Sequence, residues 1–174
     1  MSTIRTQFGP VTNFGITLNV LAAGAARSSA KVENQSSRYI DAICQFKIKT
    51  ASGTFGDRYA VYFFAWGASD DASPIFPAGV TGVDEAVSVA LETLSIRPIG
   101  SLYVAAAGTF ISPPFSVAPA FGNVLPPVWG VLAINRCGVA LDAADNLGFW
   151  RGVCSKRPCT LQRSSPACRS CAGR

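Results

Sequence analysis

The apolar residues of this chain recur with a period of two, in short runs that Gly, Pro, Asp and Ser interrupt. The clearest run is 39–50, where Ala, Cys, Phe and Ile occupy one parity and Gln45, Lys47 and Lys49 fall on the other. Because successive side chains of a strand point to opposite faces, this run predicts a long strand with one buried and one wet face. No segment shows the apolar period of a long helix, so we expect the regular structure to consist mainly of β-strands.

Several other runs predict strands. They lie at residues 16–20, 59–66, 96–104, 115–118, 129–135 and 149–154, whereas 86–94 fits a short helix or a strand equally well. Residues 59–66 are apolar at nearly every position, which predicts burial on both faces. We expect this strand to form a hairpin with 39–50, and we expect Pro98 and Gly100 to bend the strand at 96–104. The segment 67–82 predicts a loop.

Short strands separated by turn signals are typical of an antiparallel β-sandwich or jelly roll, so the predicted fold class is all-β. We expect an extended N-terminal arm over 1–15, one sandwich domain over 16–155 and an irregular tail over 156–174. The charge distribution supports this division, because residues 1–150 carry nine basic and ten acidic side chains and 151–174 carry six basic and no acidic ones. The basic balance therefore belongs to the C-terminal end, and we expect no direct contact with nucleic acid.

Four of the six cysteines lie near the C-terminus, at Cys154, Cys159, Cys168 and Cys171. Their C-x4-C-x8-C-x2-C spacing contains one C-x2-C pair of the kind that structural zinc prefers, but the first pair is too widely spaced to be typical. The Pro, Ser and Arg content around them is typical of disorder. An unliganded extension, disulfide pairing and a zinc site are the three alternatives, and no metal or other cofactor is predicted.

The sequence offers little for catalysis, because it contains no histidine. Catalytic sites that use a Ser-His-Asp or Cys-His set are excluded, and no phosphate-binding glycine motif is present. The acidic pairs Asp70–Asp71 and Asp84–Glu85 are interpreted as solvated loop residues. The body cysteines Cys44 and Cys137 are interpreted as small buried apolar side chains of a protein made in a reducing cytoplasm. We predict that the protein is not an enzyme.

The chain is short of charge, with 14% charged residues against about 25% in ordinary domains. A compact core rich in Ala and Gly would explain this, as would a large interface in a homo-oligomer or a lattice. No apolar stretch is long enough for a membrane helix, and we expect neither a membrane segment nor a secretory signal. The predicted interface residues are the apolar side chains of the arm and of one loop: Phe8, Pro10, Phe14, Pro74, Phe76 and Pro77.

Aromatic side chains concentrate between Tyr59 and Trp66. Such a cluster fits the core of a sandwich, and it also fits a groove that binds carbohydrate. In the second case the neighbouring Asp70–Asp71 loop would contribute polar contacts.

The most distinctive segments are FGNVLPPVWGV at 121–131 and NRCGVAL at 135–141, with RYIDA at 38–42 and PPFSV at 113–117 before them. Over residues 16–155 this pattern resembles a recurrent group of small virion proteins of tailed bacteriophages. The physical character of the central segment fits a structural role, since prolines stiffen a crossover, Trp129 brings bulk to a core and glycines permit turns and close approach. The residues expected to specify the fold are Gly122, Pro126, Pro127, Trp129, Gly130 and Gly138.

The resemblance implies a structural β-sandwich of a phage virion, most simply a decoration or cement protein. Such a protein would bind the major capsid protein on the outer capsid surface, as a trimer, after assembly in the host cytoplasm. A place in the tail, at the head–tail junction or at a fibre anchor is the alternative, and a carbohydrate-binding sandwich is a second one. The basic tail is not part of the resemblance.

Overall fold

Two antiparallel sheets of six described strands each form the protein, which confirms the all-β sandwich. The computed structural model describes residues 5–56, 58–70, 73–77, 79–88 and 96–156. The first sheet consists of β1 (Arg5–Phe8), β2 (Thr12–Asn13), β5 (Asp41–Thr50), β9 (Gly108–Ile111), β10 (Phe115–Ser116) and β12 (Leu147–Lys156). The second consists of β3 (Ala26–Ser28), β4 (Val32–Glu33), β6 (Ala60–Ala68), β7 (Glu85–Val87), β8 (Arg97–Tyr103) and β11 (Val128–Arg136).

A pair of long strands forms the centre of each sheet. In the first sheet β5 pairs with β12, while β1 and β2 lie beyond β12 and β9 and β10 lie beyond β5. In the second sheet β11 pairs with β6 along its whole length, from Val128 opposite Ala68 to Arg136 opposite Ala60. The predicted strands at 39–50, 59–66, 96–104, 129–135 and 149–154 are confirmed as β5, β6, β8, β11 and β12. The predicted 115–118 strand is shorter, since a 3-10 helix begins at Ala118.

The core between the sheets is built from stacked aromatic rings. The predicted alternation of β5 is confirmed, because its apolar parity is fully buried while Gln45 on the other parity is exposed. The Phe46 ring stacks on Phe63 of the opposite sheet with a centroid distance of 3.9 Å and on Phe14 at 5.8 Å. The Trp129 ring meets Phe14 edge-on at 5.8 Å. Aromatic packing therefore joins the two sheets at their centres.

The predicted hairpin of 39–50 with 59–66 is wrong, because β5 and β6 belong to different sheets. The connection between them crosses from one sheet to the other, and its Gly56 N–H donates to the carbonyl of Cys137 at 2.8 Å. The burial pattern gives the physical reason. β6 is apolar on both faces and is most stable in the middle of a covered sheet, whereas β5 has a wet face.

The predicted strand at 16–20 is also wrong, since no regular strand forms there. Leu18 is buried in the core, and the chain turns immediately after it, with Val20 at a φ of 54°. The amide of Leu21 donates to the Leu18 carbonyl at 3.2 Å and closes this turn. The alternating pattern therefore reflects one anchored leucine between polar neighbours and does not indicate sheet pairing.

A second apolar cluster covers the outer face of the second sheet. Its sheet residues include Trp66, Leu132 and Ile134, and its covering residues come from the segment that was predicted to be a loop. The Phe76 ring meets Trp66 edge-on at 5.5 Å, while the Trp66 indole N–H donates to the Ser28 hydroxyl at 3.0 Å. The second sheet is thus buried on both faces. The segment open to helix or strand begins as β7 at Glu85–Val87, and residues 89–95 lie outside the described residues.

The bend predicted in β8 coincides with an irregular register. Phe63 lies opposite Gly100 and its neighbour Phe64 lies opposite Pro98, so one residue of β8 has no partner there. A side chain at Gly100 would collide with the Phe115 ring, which closes this side of the sandwich. The glycine and the proline therefore act together to let β8 turn along the core.

We predict that Gly130→Ala destabilises the fold by about 1–3 kcal/mol, because a methyl group there would collide with the fully buried Trp66 ring. Gly122→Ala is the control, since that position has open space but a φ of 75° and should cost about 1 kcal/mol for conformation alone. Urea denaturation of both variants gives the two free energies. A smaller effect of Gly130→Ala than of Gly122→Ala would contradict the packing described here.

The N-terminal residues belong to the first sheet. β1 and β2 both pair with β12, and Phe14 is only 6% exposed, so the described part of 1–15 packs as part of the sandwich. We predict that deletion of residues 1–15 destabilises the protein by at least 3 kcal/mol, about the cost of removing one buried phenylalanine. Thermal denaturation followed by circular dichroism measures the change. An unaltered melting temperature would show that the sandwich does not need these residues.

Candidate interaction surface

The Asp41 carboxylate joins two of the segments that carry the resemblance. Its Oδ1 atom accepts hydrogen bonds from the backbone N–H groups of Val117 at 3.1 Å and of Ala118 at 2.7 Å. The Ser116 hydroxyl donates to Oδ2. The carboxylate therefore fixes the start of β5 against the 3-10 helix at Ala118–Phe121. Asp41 therefore has a structural role, and this role accounts for its place in the RYIDA segment at 38–42.

Two asparagines organise the turns in the same way. The Asn34 side chain donates to the Tyr39 carbonyl at 3.0 Å and accepts from the Tyr39 N–H at 2.8 Å. Asn135 is fully buried, and its Nδ2 atom donates to the carbonyls of Leu21 at 2.9 Å and Val139 at 2.8 Å. Buried amides of this kind need such partners to offset their desolvation. Both side chains are fully used inside the protein.

The residues expected to specify the fold lie at turns and close contacts. Gly122 ends the 3-10 helix in a left-handed conformation. Trp129 is fully buried, and a Cβ added to Gly130 would collide with Trp66. Gly138 has a φ of 87° and lies against the backbone of Gly56.

Each of the two prolines of this segment contacts a neighbouring part of the chain. A Cβ built on Gly67 would lie 2.7 Å from the Pro126 ring. The Pro127 carbonyl accepts from the Asn34 N–H at 2.7 Å. The segment 121–131 is therefore packed along most of its length.

The thiols of the body are not reactive nucleophiles. Cys44 is fully buried, and burial together with nearby Asp41 raises the pKa of its thiol well above the ordinary value. Burial likewise raises the pKa of Cys137, although hydrogen bonds from its surroundings oppose the shift. Cys154 lies in β12 and is buried, so it belongs to the sandwich. Cys159, Cys168 and Cys171 lie outside the described residues. The raised pKa keeps the thiolate fraction of Cys44 and Cys137 small.

Asp84 is not the solvated loop residue that the sequence predicted. Its carboxylate forms an ion pair with Arg27 and accepts hydrogen bonds from the N–H and the hydroxyl of Thr17. Partial burial alone would raise the pKa of Asp84, but the hydrogen bonds from Arg27 and Thr17 outweigh it, and the pKa is lowered. Glu85 begins β7 and accepts from the Thr81 hydroxyl at 2.8 Å. These contacts fasten the covering segment to the second sheet.

The aromatic residues near Tyr59 do not form a groove at the surface. Phe63 and Trp66 are fully buried, one on each face of the second sheet. Tyr62 and Phe64 pack into the covered outer cluster. Among the described residues, no group of three or more His, Cys, Asp or Glu side chains is placed to hold a metal ion.

The predicted interface residues are divided between surface and core. Phe8 and Pro10 are exposed, whereas Phe14 is buried between the sheets. Phe76 packs on Trp66, and Pro74 and Pro77 beside it are partly buried. Phe8 and Pro10 are thus available to a partner, and the loop residues mainly cover the second sheet.

The outer face of the first sheet carries a set of exposed apolar side chains, called the apolar strip here. The strand register places Leu147 and Ile111 on either side of Lys47, Phe149 opposite Gln45, and Phe8 opposite Val153. The strip consists of Phe8, Val11, Ile43, Ile111, Leu147 and Phe149. All six are exposed or partly exposed. Of these six residues, the sequence predicted only Phe8 as an interface residue. The alternation along β5 and β12 shows which side chains face outward, but it does not show which strands lie next to each other.

A shallow hollow of about 290 Å³ lies within the strip, between Val11, Ile43, Pro114 and Phe149. Arg151 is the one charged residue along it, and its guanidinium is held in place. The Nε–H donates to the Gly9 carbonyl at 2.9 Å, and the guanidinium carbon lies 5.6 Å from the centre of the Phe8 ring. The hollow is therefore apolar and largely preformed.

Charged side chains lie within and beside one end of the strip. Lys47 lies between Leu147 and Ile111 and is 3.9 Å from Asp145, while Lys49 lies 3.5 Å from Asp142. Apolar area next to charged side chains is common at protein–protein interfaces. The surface is therefore suited to contact with another protein.

Comparisons with known proteins found no match. No family model, no curated protein and no solved structure is similar enough to identify the chain. Among the described residues, no helix is long and apolar enough to cross a membrane.

We predict that Asp84→Asn lowers the free energy of unfolding at pH 7 by about 1 kcal/mol, because the Arg27 pair and charge-assisted hydrogen bonds are lost. The folded pKa of Asp84 lies below its ordinary value of 3.8. The stabilisation is therefore complete above that value and is lost as the pH falls through the folded pKa. The variant should consequently lose less stability than the wild type on acidification.

Asp145→Asn is the control for this substitution. Its carboxylate is 58% exposed and lies 3.9 Å from Lys47, so the change should stay within about 0.5 kcal/mol. Urea denaturation at pH 7 and pH 3 compares both variants with the wild type. Equal effects of the two substitutions would show that the Asp84 contacts do not fasten the covering segment.

Proposed function

We propose that this chain is a non-enzymatic structural protein of a bacteriophage virion that decorates the outer surface of the capsid. In this role its apolar strip binds the major capsid protein. The observation that carries the proposal is the unequal covering of the two sheets. The second sheet is covered on its outer face by Phe76 and Val80 of this chain, whereas no described segment covers the strip on the first.

The composition supports a protein that acts by binding a partner through its surface. A chain with 14% charged residues has few side chains with which to solvate a surface, and the strip places apolar area where a partner can cover it. The contacts among the resemblance segments also support a structural role, since Asp41, Asn34 and Asn135 all serve the fold.

The energetics suit a protein that is repeated many times. Covering apolar surface contributes about 25 cal/mol per Å², and association costs several kcal/mol. One strip alone therefore gives modest affinity. A trimer brings three strips to the shell, and linked contacts raise the overall affinity without new types of interaction.

The test is co-sedimentation of the purified protein with undecorated phage capsid shells, with bound copies counted per capsid subunit. We expect saturable binding at a fixed ratio close to one. Val11→Asp should weaken binding at least tenfold, because it places a charge in the hollow of the strip. Val83→Asp is the matched control, since Val83 is 55% exposed against 59% for Val11 but lies in the loop just before β7 of the other sheet.

Each outcome has a defined meaning. Equal binding by both variants would remove the strip as the contact surface. No binding by a folded wild-type protein would exclude capsid decoration and favour a place in the tail, at the head–tail junction or at a fibre anchor. Counting the protein in virions separates these roles, since a decoration protein approaches the copy number of the capsid protein and a tail component is far scarcer.

A further inference from the structure

A second concave surface lies at the end of the sandwich where β5 and β11 begin. This end hollow has a volume of about 560 Å³ and lies between the turn that contains Arg38 and the loop that contains Val124. Leu125 and Pro127 line its apolar side. The volume falls within the range of about 300–1,000 Å³ that is usual for binding clefts. It is distinct from the apolar strip in both position and residues.

Both walls of the end hollow are held in a fixed conformation. Arg38 has a φ of 49° and Asn123 a φ of 69°, and each such conformation costs a non-glycine residue about 1 kcal/mol or more. Hydrogen bonds support the strained turn, because the Arg38 N–H donates to the Asn34 carbonyl at 2.7 Å. The Asn34 N–H in turn donates to the Pro127 carbonyl at 2.7 Å and ties the two walls together. The hollow is therefore preformed, which lowers the entropic cost of binding.

Two side chains at the hollow, Val124 and Arg38, face solvent. Val124 is 70% exposed, whereas its neighbour Leu125 is in the core and Pro126 packs over Gly67. Arg38 is exposed, and no carboxylate of the described residues forms an ion pair with it. No acidic residue lines the hollow. A guanidinium and an aliphatic wall thus stand side by side.

We propose that the end hollow binds an acidic peptide segment of a partner protein, with a carboxylate paired to Arg38 and an adjacent aliphatic side chain against Val124 and Leu125. The charge supports a peptide carboxylate, since a guanidinium can bind it through two parallel hydrogen bonds. The apolar wall supports a hydrocarbon side chain next to that carboxylate. Tyr39 is the aromatic residue among those that line the hollow, and its ring packs against Gly152 and meets Trp150 edge-on, so it is not free to stack on a sugar.

This site goes beyond the proposed function and does not depend on it. The experiment uses the full chain, labelled and applied to an array of random hexapeptides. We expect the bound peptides to be enriched in Asp or Glu next to Val, Leu or Ile. The best peptide is then synthesised, and its affinity for the wild type and for the variants is measured in solution by fluorescence polarisation.

Arg38→Glu should weaken binding of that peptide at least tenfold and should shift the array preference toward Lys and Arg. Arg97→Glu is the matched control, because it makes the same change in net charge at an exposed position on β8 and should leave binding unchanged. Circular dichroism confirms that both variants fold. Val124→Ser gives a second measurement and should weaken binding about threefold or more.

Three results would overturn the proposal. These are an array without acidic and aliphatic enrichment, equal affinities of Arg38→Glu and Arg97→Glu, and an unchanged peptide preference in Arg38→Glu. Shell binding that depends on Val11 would remain informative in each case, since the strip and the end hollow share no residue.

Discussion

The stacking of Phe46 on Phe63 is the contact on which the rest of the sandwich depends. It joins the central strand of one sheet to the central strand of the other, and Phe14 and Trp129 extend it across the core. Such large rings fit only where the facing strand gives them room. A side chain at Gly148 would collide with Phe46. The glycines of this chain are therefore as important to the core as the aromatic residues, because close packing leaves no space for an extra methyl group.

Buried polar side chains determine how the loops leave this core. Asp41 binds the backbone of Val117 and Ala118, and Asn135 binds the carbonyls of Leu21 and Val139. Asn34 binds both backbone groups of Tyr39. These residues lie in, or immediately beside, the segments on which the proposed resemblance to phage virion proteins rests. The resemblance is thus carried by residues that specify a fold. Function belongs to the outer surfaces, whose side chains the fold leaves free to vary.

Those outer surfaces differ in a way that suits assembly. The second sheet is closed on both sides by the chain itself, fastened through Asp84 and Phe76, whereas the first sheet leaves an apolar strip open at Val11 and Phe149. The end hollow adds a preformed site with a cation, Arg38, in a different place. If both proposed contact areas bind partners, their separate positions would let one protein bridge neighbouring copies of a partner.

The sequence by itself determined the all-β class, the long strands and the lack of histidine chemistry, because side-chain parity is a local property that each strand carries in its own residues. Tertiary structure alone decided that β5 and β6 lie in different sheets and that Phe14 enters the core. It also decided that Asp84 is paired and that Phe76 and Val80 cover the second sheet. These outcomes depend on contacts between residues far apart in the chain. The alternation along a strand shows which of its side chains are buried. Which strand or loop covers them depends on how the whole domain packs.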